Sequence, residues 1–260
     1  MPITDILAVG SGGLVGFVLG LIGGGGSILA VPLLVYLVGV QSPHVAIGTS
    51  AVAVGLSALA NLVAYSRKGM VKWRCALVFA AAGIVGALLG SSAGKAFDGQ
   101  KLLLLFGLLM IAIAGLMLLR RGSEGDENVR LTLTSAQGLL PWLLAYGVAV
   151  GVLAGFFGIG GGFLVVPGLM ASTAMPMSFA VGSSLVSVAA FGFATAGNYA
   201  LSGLIDWMLV ADFVLGGIVG GIAGRAAGHW LSQYKSALST IFAITVASVG
   251  AYVVWRGIAN

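Results

Sequence analysis

Four glycines and a serine, Gly23-Gly24-Gly25-Gly26-Ser27, interrupt an apolar run from about Ile6 to Val40, and Gly158-Ile159-Gly160-Gly161-Gly162 interrupts an equally apolar run 135 positions later. Glycine costs about 1 kcal/mol in a helix relative to alanine, so such clusters unwind a helix and bare its backbone N–H groups. A helix starting after Gly26 and another after Gly161 would each turn their first free N–H groups, and the positive ends of their dipoles, toward the break. Both ends favour an anion. Gly24, Gly25, Gly26, Gly160, Gly161 and Gly162 are therefore candidate substrate contacts. Ser27 is placed to cap the first helix or to donate to a bound oxyanion, whereas Gly162 in the equivalent place offers only backbone.

Polar residues within apolar helices extend this set: Thr49 and Ser50, Ser183 and Ser184, Asn61 and Asn198. Hydroxyls and amides bind an oxyanion without burying an unpaired charge. They also have an ordinary reading, because Ser and Thr in membrane helices commonly bond to their own backbone. Asp212 and Arg225 are the charges well inside apolar segments and are candidates for coupling or gating. Arg225 could instead snorkel from the end of its segment. His44 and His229 have no second ligand at metal spacing, and no Lys-Ser or Lys-Thr follows the glycines as in a nucleotide-binding loop. No histidine stands on an apolar segment with a partner for Gly48-Thr49-Ser50 or Gly182-Ser183-Ser184, so these strings do not read as a serine hydrolase. The chain reads as a non-enzyme, without metal, cofactor or ATP chemistry of its own.

The elements that must position these residues are membrane helices. The 260 residues are 59% hydrophobic and 7% charged, with mean hydropathy +1.12, against about 25% charged residues in soluble domains. Apolar stretches of 18 residues or more recur, each able to cross a hydrocarbon core of about 30 Å as a helix. Met1 to Ala8 contains Asp5 and no Lys or Arg, unlike a cleavable signal peptide, and reads as mature protein. The single cysteine, Cys75, cannot form an internal disulfide. The net charge of +5 is an orientation signal rather than a nucleic-acid footprint. The partners implied are a lipid bilayer and a small anionic substrate, with no nucleic acid and with room for a homo-oligomer.

A hydrophilic stretch, Arg120 to Gln137, separates two halves, read as a first transmembrane repeat (1–121), a cytoplasmic linker (122–137) and a second repeat (138–260). At an offset of 134 or 135, Gly12, Gly16 and Gly20 match Gly147, Gly151 and Gly155, and Pro32 matches Pro167. Gly48, Thr49 and Ser50 match Gly182, Ser183 and Ser184, and Gly83, Gly86, Gly90 and Gly94 match Gly217, Gly220, Gly224 and Gly228. One offset held over so many positions marks an internal repeat. The glycine stripes at spacing four read as close helix packing.

The loop before the third segment carries Arg67, Lys68, Lys72 and Arg74 in the first half, while its counterpart has Asp206 and no cation. Equivalent loops on opposite sides of the membrane give nine Lys and Arg inside against three outside. Inversion requires an odd number of crossings per half, so each broken run should go in and come back as a hairpin of two short helices. The fold expected is all-α and polytopic: two inverted repeats, each a Gly-broken helical hairpin plus three transmembrane helices, about ten helical segments in all. Both termini then lie outside the cytoplasm and the linker inside, in the inner or plasma membrane.

With GLIGGGGSILAVPLL (Gly20 to Leu34), AIGTSA (Ala46 to Ala51), GFFGIGGGFLVVPGL (Gly155 to Leu169) and AVGSSL (Ala180 to Leu185), the chain resembles the TauE/SafE family of sulfite or anion permeases. The resemblance covers nearly the whole chain. It implies a secondary transporter of small anions, commonly sulfur oxyanions or organosulfonates, with the glycine-rich motifs carried over to Gly24, Gly25, Gly26, Ser27, Gly160, Gly161 and Gly162. The alternative left open by the residues is a proton- or cation-coupled transporter of another small solute, with Asp212 as the coupling site.

Overall fold

The computed structural model describes residues 2–22, 24–119, 136–230 and 235–259. Gly23 and most of the linker, residues 120–135, lie outside the described residues. The chain runs α1 (Pro2–Ile22), a 3-10 segment (Gly24–Leu29), α2 (Ala30–Pro32), a π-helical segment (Leu33–Leu37), α3 (Pro43–Arg67), α4 (Trp73–Ala96) and α5 (Gly99–Leu119). The second half follows with α6 (Ala136–Phe157), α7 (Gly162–Thr173), α8 (Met177–Ala200), α9 (Trp207–Trp230) and α10 (Lys235–Ala259). No strand occurs among the described residues. Eight of these helices are long and apolar enough to cross a membrane, and the two return segments, Gly25–Val38 and Gly162–Thr173, are shorter.

Helix starts follow local chemistry. Ser42 accepts from the N–H of Val45 at 3.5 Å with Pro43 in the first turn of α3. Asp98 Oδ1 accepts from the N–H groups of Gln100 and Lys101 at 3.1 and 3.0 Å to cap α5, and Asp206 Oδ1 does the same for Met208 and Leu209 at α9.

Two features differ from the sequence reading. The outgoing limb of each hairpin is not short: α1 has 21 residues and α6 has 22, roughly 32 Å of helix each. Each helix begins earlier than the apolar run and continues to its break. The first return limb is also not one helix after Gly26. Its glycines form the 3-10 segment, regular α-helix is confined to Ala30–Pro32, and a π-segment follows Pro32, which has no N–H to donate. In the second half α7 does start after Gly161 and runs through Pro167 for 12 residues.

The glycine stripes determine how the two halves interlock. A Cβ added at Gly12, Gly16 or Gly20 of α1 would collide with the carbonyl oxygens of Phe213, Gly217 and Gly221 of α9. On α6, Gly147, Gly151 and Gly155 lie in the same way against Phe79, Gly83 and Ala87 of α4. These two sets of partners are again 134 positions apart. The first helix of each half thus packs in parallel on a helix of the other half, and backbones approach where only glycine fits. Elsewhere equivalent helices meet in opposite chain order. Gly48 lies by Tyr199 and Gly192 by Ala51 where α3 crosses α8, while Gly250 lies by Met110 and Gly257 by Leu104 where α5 meets α10. The spanning windows of α3 and α8 are 72% and 61% buried against 28% for that of α10, which puts the candidate polar residues on the two central helices.

Gly16→Ala and Gly151→Ala should each cost at least about 1–3 kcal/mol, since backbone rather than a flexible side chain must move. Gly115→Ala, facing open space, should gain up to about 1 kcal/mol. Thermal unfolding in detergent checks the contrast, and equal midpoints for the three variants would contradict the packing account.

Candidate functional site

The second break is a left-handed turn: Gly158, Gly160 and Gly161 have φ of 66°, 61° and 71°, a region costly for residues with a Cβ. It lies between the two central helices. A Cβ at Gly160 would stand 3.0 Å from Val54 Cγ1 of α3 and 3.5 Å from Val188 Cγ1 of α8. Ser50 fastens the turn to α3, its Oγ 2.9 Å from the Ile47 carbonyl oxygen and 3.4 Å from that of Gly158.

The backbone inventory of this turn is incomplete in one direction. The N–H groups of Gly158 and Ile159 donate back to Gly155 and Ala154, and those of Leu164 and Val165 both donate to the Gly161 carbonyl. Among the described residues no backbone carbonyl accepts from Gly160, Gly161, Gly162 or Phe163. All four residues are buried, and the helix start has no side-chain cap. Buried N–H groups without partners are rare, and each costs about 1–3 kcal/mol. Four together at the positive end of a 12-residue helix make a place for an oxyanion.

The first break is built differently. Gly26 is packed against the Val15 carbonyl and Leu19 of α1. Ser27 is fully buried inside the 3-10 segment rather than standing at a helix N-cap; Leu29 precedes α2 and provides no side-chain cap. The segment, which holds Gly24, Gly25, Gly26 and Ser27, packs against α7 and α8, the helix that Gly160 and Gly161 precede and the one whose Val188 faces Gly160.

The hydroxyl strings divide into two roles. Thr49 Oγ1 accepts from the Asp206 N–H at 3.0 Å, and Ser183 Oγ accepts from the Lys72 N–H at 2.9 Å. Gly48 and Gly182 lie against the carbonyl oxygens of Leu204 and Met70 in the same two loops. The Gly-Thr and Gly-Ser pairs therefore pin the loops leading into α9 and α4. Ser184 Oγ donates to the Val181 carbonyl at 2.7 Å, as Ser50 does to Ile47. Ser187, one turn beyond Ser184, is fully buried with its Oγ unpartnered. Its neighbour Val188 touches the break, and the hydroxyl was legible as an extra Ser where the first half has Ala53.

The two asparagines are not at the breaks. Asn61 is 11 residues beyond Ser50 and Asn198 is 14 beyond Ser184, roughly 16 and 21 Å along their helices. Each serves a cation. Asn61 Oδ1 accepts from Arg225 while its Nδ2 donates to the Ser57 carbonyl at 2.9 Å. Asn198 Oδ1 accepts from Lys95 Nζ at 2.7 Å, and its Nδ2 donates to Ser91 and Ser92 at 2.7 and 2.9 Å. Arg225 is thus engaged by α3. Asp212 lies 13 residues away on the same helix, one carboxylate oxygen buried without a partner.

Long apolar helices around two broken return segments define a multi-pass membrane protein. The chain belongs to the sulfite exporter TauE/SafE family, whose sequence model matches residues 8–253. It is 49% identical to a probable membrane transporter protein of Xylella fastidiosa strain Temecula1 over 98% of this chain and 97% of the relative. It is 28% identical to the probable membrane transporter protein YunE of Bacillus subtilis, over 81% of this chain and 84% of the relative. No solved structure matches.

Thr49→Val keeps shape but leaves the Asp206 N–H without its acceptor, which should cost about 1–3 kcal/mol. Thermal unfolding in detergent measures it; an unchanged midpoint would remove Thr49 from the loop-pinning role.

Proposed function

We propose that this protein is a secondary transporter of small anions, of the sulfur oxyanion or organosulfonate class that includes sulfite, working by alternating access around a midplane site. The observation that carries this reading is the set of four buried, unengaged N–H groups from Gly160 to Phe163 at the start of α7. Those groups, with Gly24, Gly25, Gly26 and Ser27 of the return segment and Ser187 of α8, supply donors without a neutralising charge, while Ser50 and Ser184 spend their hydroxyl protons on the Ile47 and Val181 carbonyls. Thr49 and Ser183 act on the same site through the loops they pin.

The antiparallel meeting of α3 with α8 and of α5 with α10 supports inverted repeats, the arrangement in which two halves exchange roles on opposite sides of a fixed site. The loop charges support an inner or plasma membrane orientation with the linker cytoplasmic and both termini outside. Asn61 with Arg225, and Asn198 with Lys95, lie toward opposite ends of the bundle and hold the helices that such a change would have to separate.

A second reading is coupled transport of another solute by protons or cations, and the buried unpartnered oxygen of Asp212 favours it. Uptake of labelled sulfite, thiosulfate and a sulfonate into proteoliposomes decides between them. Anion uptake is expected for wild type and a loss of at least tenfold for Gly160→Ala, whose Cβ would stand in the turn at φ 61°. No uptake of any of the three anions, or wild-type uptake by folded Gly160→Ala, would contradict the proposal. Loss of a pH dependence in Asp212→Asn would favour the second reading.

A further inference from the structure

The end of the bundle where α3 starts and α8 finishes contains a second group of polar atoms. Lys95, in the last turn of α4, donates to the backbone oxygen of Asn198 at 2.9 Å, to its Oδ1 at 2.7 Å and to Ser202 Oγ at 2.9 Å. All three acceptors are neutral, so the ammonium charge is held in place without being cancelled. Its Nζ also stands 5.9 Å from the centre of the Tyr199 ring, and the His44 ring lies 6.5 Å from that of Tyr199.

Among the described residues, buried polar atoms on and near Tyr199 lack partners. Thr195 and Tyr199, one turn apart on α8, are both fully buried, and neither Thr195 Oγ1 nor Tyr199 Oη has a hydrogen bond; His44 Nδ1 is buried and unpartnered as well. Tyr199 sits beside the Lys95 charge, with Thr195 one turn back on α8 and the His44 ring near its own, and three such buried atoms are costly unless something fills the gap. Asp98, three residues on from Lys95, directs its Oδ1 to the start of α5. The position equivalent to Thr195 near the other end is satisfied internally. Asn61 stands where Thr195 does, 134 residues earlier, and takes its cation, Arg225, directly. Lys95 instead reaches one turn further to Asn198 and leaves the hydroxyls of Thr195 and Tyr199 unused.

We propose that Lys95, Thr195, Tyr199 and His44 form a second anion-binding position, where a small oxyanion waits on its way to or from the glycine turn. The inference rests on the reading of the protein as an anion transporter. Lys95 supplies charge, and the two hydroxyls and the imidazole supply hydrogen bonds. Thr195 is 7 residues beyond Val188, which faces Gly160, roughly 10 Å along α8, so the two positions are distinct.

Equilibrium binding of radiolabelled sulfite to the purified full chain tests this. Wild type should bind two anions per chain. Gly160→Ala should keep one, and the isosteric double variant Thr195→Val/Tyr199→Phe should also keep one. In the double variant the removed hydroxyls have no protein partner, so its unfolding midpoint without sulfite should be unchanged or higher. Single Tyr199→Phe should weaken the second site about tenfold and carries the same comparison if the double variant does not fold. Two anions bound with unchanged affinity in these variants, or one bound by wild type and retained by them, would overturn the second position alone. No sulfite bound by wild type would overturn the transporter reading for sulfite and the second position with it.

Discussion

A lipid bilayer offers no partner to a backbone N–H, so a chain that breaks a helix within it must satisfy the exposed groups from protein or from a ligand. That constraint governs the second glycine turn. Gly158, Gly160 and Gly161 turn left-handed, α7 begins without a side-chain cap, and no backbone carbonyl among the described residues accepts from Gly160 to Phe163. The surrounding helices hold the turn in this condition: Ser50 fixes the Gly158 carbonyl, while Val54 and Val188 close on Gly160 from two sides. A polar hole in an apolar interior is unfavourable unless it is used. In the function proposed, an oxyanion bound there offsets the cost and gives the site selectivity for negative charge.

Holding that turn at the centre requires the flanking helices to cross closely. The glycines of α1 and α6 let carbonyl oxygens of α9 and α4 come into contact with helix backbone, replacing side-chain interdigitation by close backbone packing. Because each of these contacts joins one half to the other, neither half can complete its packing alone. The loops entering α4 and α9 are tied in the same crossed manner, through Ser183 and Thr49. A rearrangement at one loop is therefore felt on the central helix of the opposite half.

Much of this could be read in the sequence, because glycine at a fixed spacing and a repeated offset have few other causes. Gly12, Gly16 and Gly20 identified a packing face, and Gly161 marked the start of α7. The first break was harder to read: Gly24 to Gly26 predict loss of α-helix but do not distinguish a turn from the 3-10 coil that forms. Thr49 and Ser183 were visible as polar residues in apolar helices, but their loop acceptor roles depend on residues 157 and 111 positions away. Lys95 carried no signal beyond a basic residue at a helix end, and buried hydroxyls such as Thr195 look like any others until the absence of a partner can be counted.

The account centres on an anion held by the start of α7. A structure of the protein with selenite, a sulfite analogue located by the anomalous scattering of selenium, tests it most directly. The account predicts selenium at the glycine turn, with selenite oxygens about 2.7–3.2 Å from the N–H nitrogens of Gly160, Gly161, Gly162 or Phe163. Bound selenite seen elsewhere, with none at that turn, would contradict it.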